Sequence, residues 1–292
     1  MSHQLNQISP HVYWLTPDST TDRPILGAVS GAHGSLIVDA GNSPAHARLL
    51  LRELDAAGAA PPAFLMLTHW HWDHVFGTAA LPIPALAHDE TRRIVAKMAR
   101  LDWSDEALDR RVDEGVEIAF CRDMIKAELP DRSELTIRPP EIGFSSQVEL
   151  DLGGVTCRIV HVGGDHAHDS SVVYVPEERI VFLGDCIYDD LYHGPRRVTT
   201  NTLLPLLDRL LGYDAAYYLA AHHAQPLSRA QLADEAALLG TIGRTVEQVG
   251  RDRAAILARL PGALGADLTE EHVEIADAFL AGLALPVVQS VM

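Results

Sequence analysis

The chain has 292 residues, with 23 Lys and Arg against 40 Asp and Glu, a formal net charge of −17, 15 His and only 3 Cys. An apolar content of 47% is enough to bury a sizeable core and argues against disorder. The acidic balance speaks against a nucleic-acid partner, whose phosphates require a basic surface, and no uninterrupted apolar run reaches the roughly 18 residues of a membrane span.

The N-terminal MSHQLNQISP has no basic region ahead of an apolar core, so no signal peptide is expected. Cys121, Cys157 and Cys186 are an odd, widely spaced set. They predict free thiols in a reducing compartment and hence a cytoplasmic protein. In chain order, His11 to Thr16 and Ser35 to Asp39 read as strands rich in Val, Ile, Tyr and Leu. Ser43-Pro44 opens a helix as N-cap and first helical residue, Leu50, Leu51 and Leu54 give it an apolar side, and Gly58 suits its end. Ala63 to Leu67 is a buried strand that stops at Thr68-His69. A charged segment of about 89–128 reads as a helical insertion, with a helix start at Ser104-Asp105-Glu106 inside it. Strands are expected at Leu135 to Arg138, Val155 to His161, Ser171 to Val175, Arg179 to Leu183 and Tyr217 to Ala221, with a helix from Thr202 to Leu211 closed by Gly212. About 227–292 reads as a helical extension, opened by a Ser228/Gln231 capping box and ending in a helix that starts near Thr269. The most apolar stretch, 278–288, lies at its end and is broken by Gly282 and Pro286. Strands interspersed with helices throughout give an α/β or α+β class with layered packing, expected as a single domain over 1–292.

The chemistry concentrates in Thr68-His69-Trp70-His71-Trp72-Asp73-His74, directly after an apolar strand. Imidazole and carboxylate are good zinc ligands, and alternating residues of a loop can turn to different sides. His69 and His71 could serve one ion, Asp73 and His74 a neighbour.

His69-x-His71-x-Asp73-His74 resembles the signature of the metallo-β-lactamase superfamily, and the rest of the chain is similar to that family in order. Asp39, closing Ser-Leu-Ile-Val-Asp-Ala-Gly, looks like its early strand-Asp element. Gly164 to Ser170, followed by the strand from Ser171, resembles the segment carrying a third histidine. Ile180 to Asp185 resembles the strand ending at a bridging aspartate, and Tyr217 to His222 the strand ending at the last histidine. The resemblance implies a four-layer αββα sandwich. It further implies two zinc ions, one on His69, His71 and His166, the other on Asp73, His74 and His222, with Asp185 bridging; manganese or iron suit the same donors. His161 and His168 compete with His166, and His223 competes with His222. Asp169 beside His168 is a candidate to orient a ligand.

A dinuclear centre of this kind implies a hydroxide nucleophile and a metal that holds the oxyanion, hence metal-assisted hydrolysis. Candidate substrates are small lactones, thioesters, esters, β-lactams and phosphate or sulfate esters. Asp73 is a candidate to protonate the leaving group. Tyr188, three residues after Asp185, is placed as in the family's lactonases, where a tyrosine bonds the substrate carbonyl; it reads equally well as a packing residue. Trp70 and Trp72 are expected to pack beneath the ligand loop, Trp103 and Met98 in the insertion's own core, and Cys186 as a small buried residue. The arginines of the C-terminal extension, among them Arg229 and Arg253, suit solvated helix faces or a homodimer contact. Two other readings compete: an iron-dependent oxygenase like the persulfide dioxygenases, and a metal-binding protein without catalysis. A small-molecule substrate is expected, with neither nucleic acid nor membrane as partner.

Overall fold

A computed structural model describes residues 4–283. The C-terminal half of the apolar 278–288 stretch therefore lies outside the described residues. Seven strands form a first mixed sheet in sequence order: β1 (Leu5–Gln7), β2 (Val12–Leu15), β3 (Leu26–Gly31), β4 (Gly34–Val38), β5 (Pro62–Leu67), β6 (Ala85–His88) and β7 (Ile142–Phe144). Six strands form a second: β8 (Gln147–Asp151), β9 (Thr156–His161), β10 (Ser171–Val175), β11 (Ile180–Gly184), β12 (Tyr217–Ala220) and β13 (Leu227–Ser228). The run β4–β5–β6–β7 is parallel, as is the pair β11–β12, while the other neighbours are antiparallel.

Side chains alternate between two buried faces. On β4, Leu36 and Val38 point between the sheets and Ile37 points outward; on β11, Ile180 and Phe182 point inward and Val181 and Leu183 outward. Strands buried on both faces carry near-continuous apolar runs, which is how the sequence wrote them. Three apolar layers result. One lies between the sheets. One packs the first sheet against α1 (Pro44–Ala56) and helices of the 89–128 segment, and the third packs the second sheet against α6 (Thr200–Leu211), α7 (Arg229–Val249), α8 (Arg253–Leu264) and α9 (Glu270–Gly282). This is the four-layer αββα sandwich.

The helix signals act where they were read. Ser43 caps α1, its hydroxyl accepting the His46 N–H, with Pro44 in the first turn. Ser228 and Gln231 form the capping box of α7, and Thr269 caps α9. The 89–128 segment holds three helices, α3 (Asp89–Met98), α4 (Asp105–Asp113, capped by Ser104) and α5 (Ala119–Glu128). Trp103 and Met98 are buried there, the Trp103 ring edge-on to Phe76.

The expected strand at Leu135 to Arg138 does not form. Pro139 and Pro140 follow it and remove the N–H groups a ladder would use. The segment is pinned as a strap instead. Ile137 is buried, the Arg138 N–H donates to Thr78 Oγ1, and its guanidinium donates to the Leu81 carbonyl. β7 takes the sheet edge beside β6. The sequence reading passed over β3, whose Leu-Gly-Ala-Val-Ser-Gly looks like a loop, and over the short strands β1, β6, β7, β8 and β13.

Candidate metal centre

The two parallel pairs β4–β5 and β11–β12 end close together, and their C-terminal ends supply most of the site. Asp39 follows β4, His69 follows β5, Asp185 follows β11 and His222 lies just beyond β12. The Ser171 N–H donates to the Thr68 carbonyl at 2.8 Å and ties the two sheets together at this point. The loop between β9 and β10 brings in His166. After His71 the chain makes one helical turn, α2 (Trp72–Val75), which carries Asp73 and His74. Gly184 is left-handed at φ +54, and a Cβ there would stand 2.7 Å from Thr68 Oγ1. The bare backbone thus lets β11 turn sharply and deliver Asp185 beside His69.

Two sets of ligand atoms converge: His69, His71, His166 and Asp185, and Asp73, His74, Asp185 and His222, with the atoms of each set within 4.8 Å of one another. Asp185 Oδ2 lies 3.3 Å from His166 Nε2, 3.4 Å from His74 Nε2, 3.3 Å from His222 Nε2 and 3.9 Å from His69 Nε2. Asp73 Oδ2 is 3.1 Å from His74 Nε2 and 3.3 Å from His222 Nε2. The Nε2 atoms of His69, His71, His74 and His166, with Asp73 Oδ2 and Asp185 Oδ1, are buried without a hydrogen-bond partner in the protein. So many unpartnered polar atoms in one buried place would be costly in a finished core and fit a pair of cations. The residues are positioned for a dinuclear metal site.

The remote ring nitrogens are held. His74 Nδ1 bonds Asp39 Oδ2 at 2.8 Å, His166 Nδ1 bonds the Asp189 carbonyl at 2.8 Å, and His69 Nδ1 contacts Thr68 Oγ1 at 3.1 Å. Asp39, itself left-handed at φ +65, also accepts the Thr68 N–H and hydroxyl. Each contact keeps a donor proton on Nδ1 and turns the Nε2 lone pair inward.

Burial, and then the neighbouring imidazoles, push His69 and His71 far below the usual histidine range, so both are neutral. Burial also works against a charge on His74 and His222, yet the carboxylates beside them, Asp73 and Asp185 in both cases, lift both well above that range. Against the same burial, His222 and His74 hold Asp185 well below the carboxylate range, and Asp73 is lowered likewise. In the metal-free chain two imidazolium groups therefore provide the positive charge that cations would bring.

Of the competing histidines, His166 and His222 enter the two sets. His161 instead bonds the His168 carbonyl and stacks on His88 at 3.9 Å. Asp169 does not orient a ligand through His168: it is buried and accepts the Thr91 hydroxyl of α3. Cys186 is buried, and burial pushes its thiol up. Trp72 is buried against Phe76, and Trp70 lies edge-on to His71. The Tyr188 hydroxyl accepts the His222 N–H at 3.2 Å. Arg229 and Arg253 are engaged within the chain, with the carbonyls of Tyr213 and Leu211 and with Asp277. Two residues escaped the sequence reading. Asp22, left-handed at φ +56 in the turn before β3, places Oδ1 3.6 Å from His222 Nδ1. Burial and the nearby Asp73 raise its carboxyl to about 7. Tyr192 packs its ring 5.1 Å from that of His71. Asp22 sits in an ordinary polar turn with Asp18, and nothing in the sequence separates the two.

The model of the metallo-β-lactamase superfamily matches residues 28–222, spanning every one of these ligands. The chain belongs to that superfamily. A linear primary-alkylsulfatase of Pseudomonas sp. (strain ATCC 19151) is 24% identical over 231 residues, 71% of this chain and 42% of the relative. The type 2 metallo-β-lactamase of Bacteroides fragilis is 39% identical over 51 residues, 18% of this chain and 20% of the relative. The chain thus spans less than half of either curated relative. Among solved structures, a metallo-β-lactamase family protein from Thermus thermophilus superposes with a TM-score of 0.59 at 17% identity, covering 95% of this chain and 94% of that one. A double mutant of a sec-alkyl sulfatase superposes with a TM-score of 0.67 at 14% identity, covering 96% of this chain and 50% of that one. These likenesses show the metallo-β-lactamase fold.

Proposed function

We propose that this member of the superfamily is a zinc-dependent hydrolase of a small molecule carrying an ester, lactone, thioester, β-lactam or sulfate-ester group. What carries the reading is the pair of ligand sets that share Asp185 and leave six buried donor atoms unpartnered. A mononuclear iron oxygenase would need fewer of them, so the complete second set, Asp73, His74 and His222, favours hydrolysis.

His69, His71 and His166 would hold one ion, and Asp73, His74 and His222 the other, with Asp185 shared between them. When bound, a divalent pair supplies a hydroxide nucleophile at neutral pH and Lewis acidity for a developing oxyanion. The remaining chemistry falls to the chain. His71, Asp73, His166, Asp185 and His222 all face one open cleft, through which a substrate can reach the centre. Tyr188 faces the same cleft, and because its oxygen accepts the His222 N–H, its proton remains to be donated to a substrate oxygen. Asp73, whose carboxyl is held ionised, would take the proton of the attacking water and pass it to the leaving group. Trp72 and Val75 are buried behind the ligand loop and exclude water from that side. The names of the two sulfatase relatives put sulfate esters beside carboxylic esters as candidates. Three free, buried cysteines accord with a cytoplasmic setting.

The test is metal content of protein purified without added metal, followed by turnover on a panel of these substrate classes. About two zinc ions per chain are expected, with turnover that the Asp185→Ala variant loses. One iron per chain with oxygen uptake, or turnover no faster than in Asp185→Ala, would overturn it.

A further inference from the structure

The cleft above the metal centre is larger than the reacting groups require. Its volume is about 1170 Å³, above the roughly 300–1000 Å³ of ordinary small-molecule sites. Part of its wall comes from β13 and the C-terminal helices: Leu227 on β13, Leu238 and Leu239 on α7, and Ile275 on α9. Each is half-buried, its back packed on the apolar layer behind the second sheet and its remaining surface turned to the cleft. Opposite them stands Phe120 at the start of α5, half exposed at 50%. A contiguous apolar surface left open inside a cleft marks a ligand. These five residues belong to the insertion or lie beyond Ala221, and the C-terminal four fall outside the region matched by the superfamily model. The superfamily model thus covers the metal centre but not the C-terminal part of the cleft wall.

The charges narrow the occupant further. Asp234, Glu235, Glu271 and Glu274 line the cleft beside the leucines and outnumber Arg196, which also lines it and is paired with Asp189, so they would repel an anionic end group. Burial and the neighbouring Glu271 raise the Glu235 carboxyl, as expected where carboxylates crowd.

Resting on the hydrolase reading, we infer that the substrate carries a hydrocarbon arm, uncharged at its far end, that runs from the metal centre along Leu238, Leu239 and Ile275. The same carboxylates disfavour substrates with a second anionic end, such as dicarboxylates or polyphosphates.

Straight-chain carboxylates from acetate to decanoate test this without turnover, since each presents a product-like head and an arm of known length. Calorimetric titration of the zinc-loaded and the zinc-free protein should show affinity rising about threefold per methylene. Decanedioate should bind at least about tenfold more weakly than decanoate. Leu239→Glu and Ile275→Glu should each flatten the gradient, with circular dichroism and zinc content reporting that the fold persists. Equal binding of acetate and decanoate, or a gradient unchanged in both variants, would overturn the inference. Turnover on the substrate panel without a length gradient would sink the arm and leave the hydrolase standing. A gradient without turnover would support the arm and sink the hydrolase.

Discussion

His222 reaches the centre from the rim, its side chain 30% exposed while His69 and His74 are fully buried. Its far nitrogen faces Asp22 Oδ1 at 3.6 Å, an ion-pair distance, and Asp22 holds a backbone conformation that non-glycine residues seldom adopt. Asp22→Asn is therefore expected to weaken zinc binding about 10- to 100-fold, the usual cost of losing a group that orients a ligand; competition against a chelator measures it. Tyr188→Phe should slow turnover by about tenfold or more while zinc content stays at the wild-type level. An unchanged rate would reduce Tyr188 to a prop for the His222 backbone. The lifted values of His74 and His222 mean that both hold a proton near neutral pH in the metal-free chain, whereas a metal needs the neutral ring. Metal affinity should therefore rise with pH until pH passes those raised values. Loading at pH 7 should release about three protons per chain, two from these rings and one from the water that would become the hydroxide, read from titrations in two buffers of different ionisation enthalpy.

At the scale of elements, one carboxylate ties the 89–128 segment to the sandwich. Glu128 ends α5 and accepts the Arg23 guanidinium, the Thr21 hydroxyl and the Ser43 hydroxyl that caps α1. It thereby fixes the turn that carries Asp22. Burial works against its charge, but these donors hold the carboxyl below its ordinary value. The stability it contributes is then present above the unfolded carboxylate pKa and is lost as pH falls through the lowered folded value. Glu128→Ala should cost about 2–3 kcal/mol at pH 7 and less at pH 3, as denaturant unfolding at the two pH values would show. Caps and breakers at this scale were legible. Ser43-Pro44, Ser104, Ser228 with Gln231 and Thr269 act locally, within one turn, so their residues suffice to place a helix end. Strands were less so. Leu135 to Arg138 has the composition of one and Leu26 to Gly31 does not, yet only the second finds a ladder partner. Pairing depends on what lies alongside, which composition does not record.

Across the whole molecule, the packing of the two sheets requires that β3 lack a side chain at Gly27. A Cβ on Gly27 would stand 2.3 Å from the Phe182 ring of β11. Gly27→Val should wedge the sheets apart, at about 2 kcal/mol or more by chemical denaturation. That glycine reads as a loop residue because its reason lies on the other sheet. The same division runs through the protein. His69, His71, Asp73 and His74 lie within six residues of one another, and their chemistry, their order and their resemblance to a family could be read directly, because spacing is a local property. The resemblance already named His166 and His222, and the fold brings both into the ligand sets; the approach of Asp22 to His222 and an apolar wall built from helices beyond the matched region were decided by tertiary structure. Those residues are brought together by sandwich packing across up to 200 positions of chain, and no local pattern encodes which ends of which strands will meet.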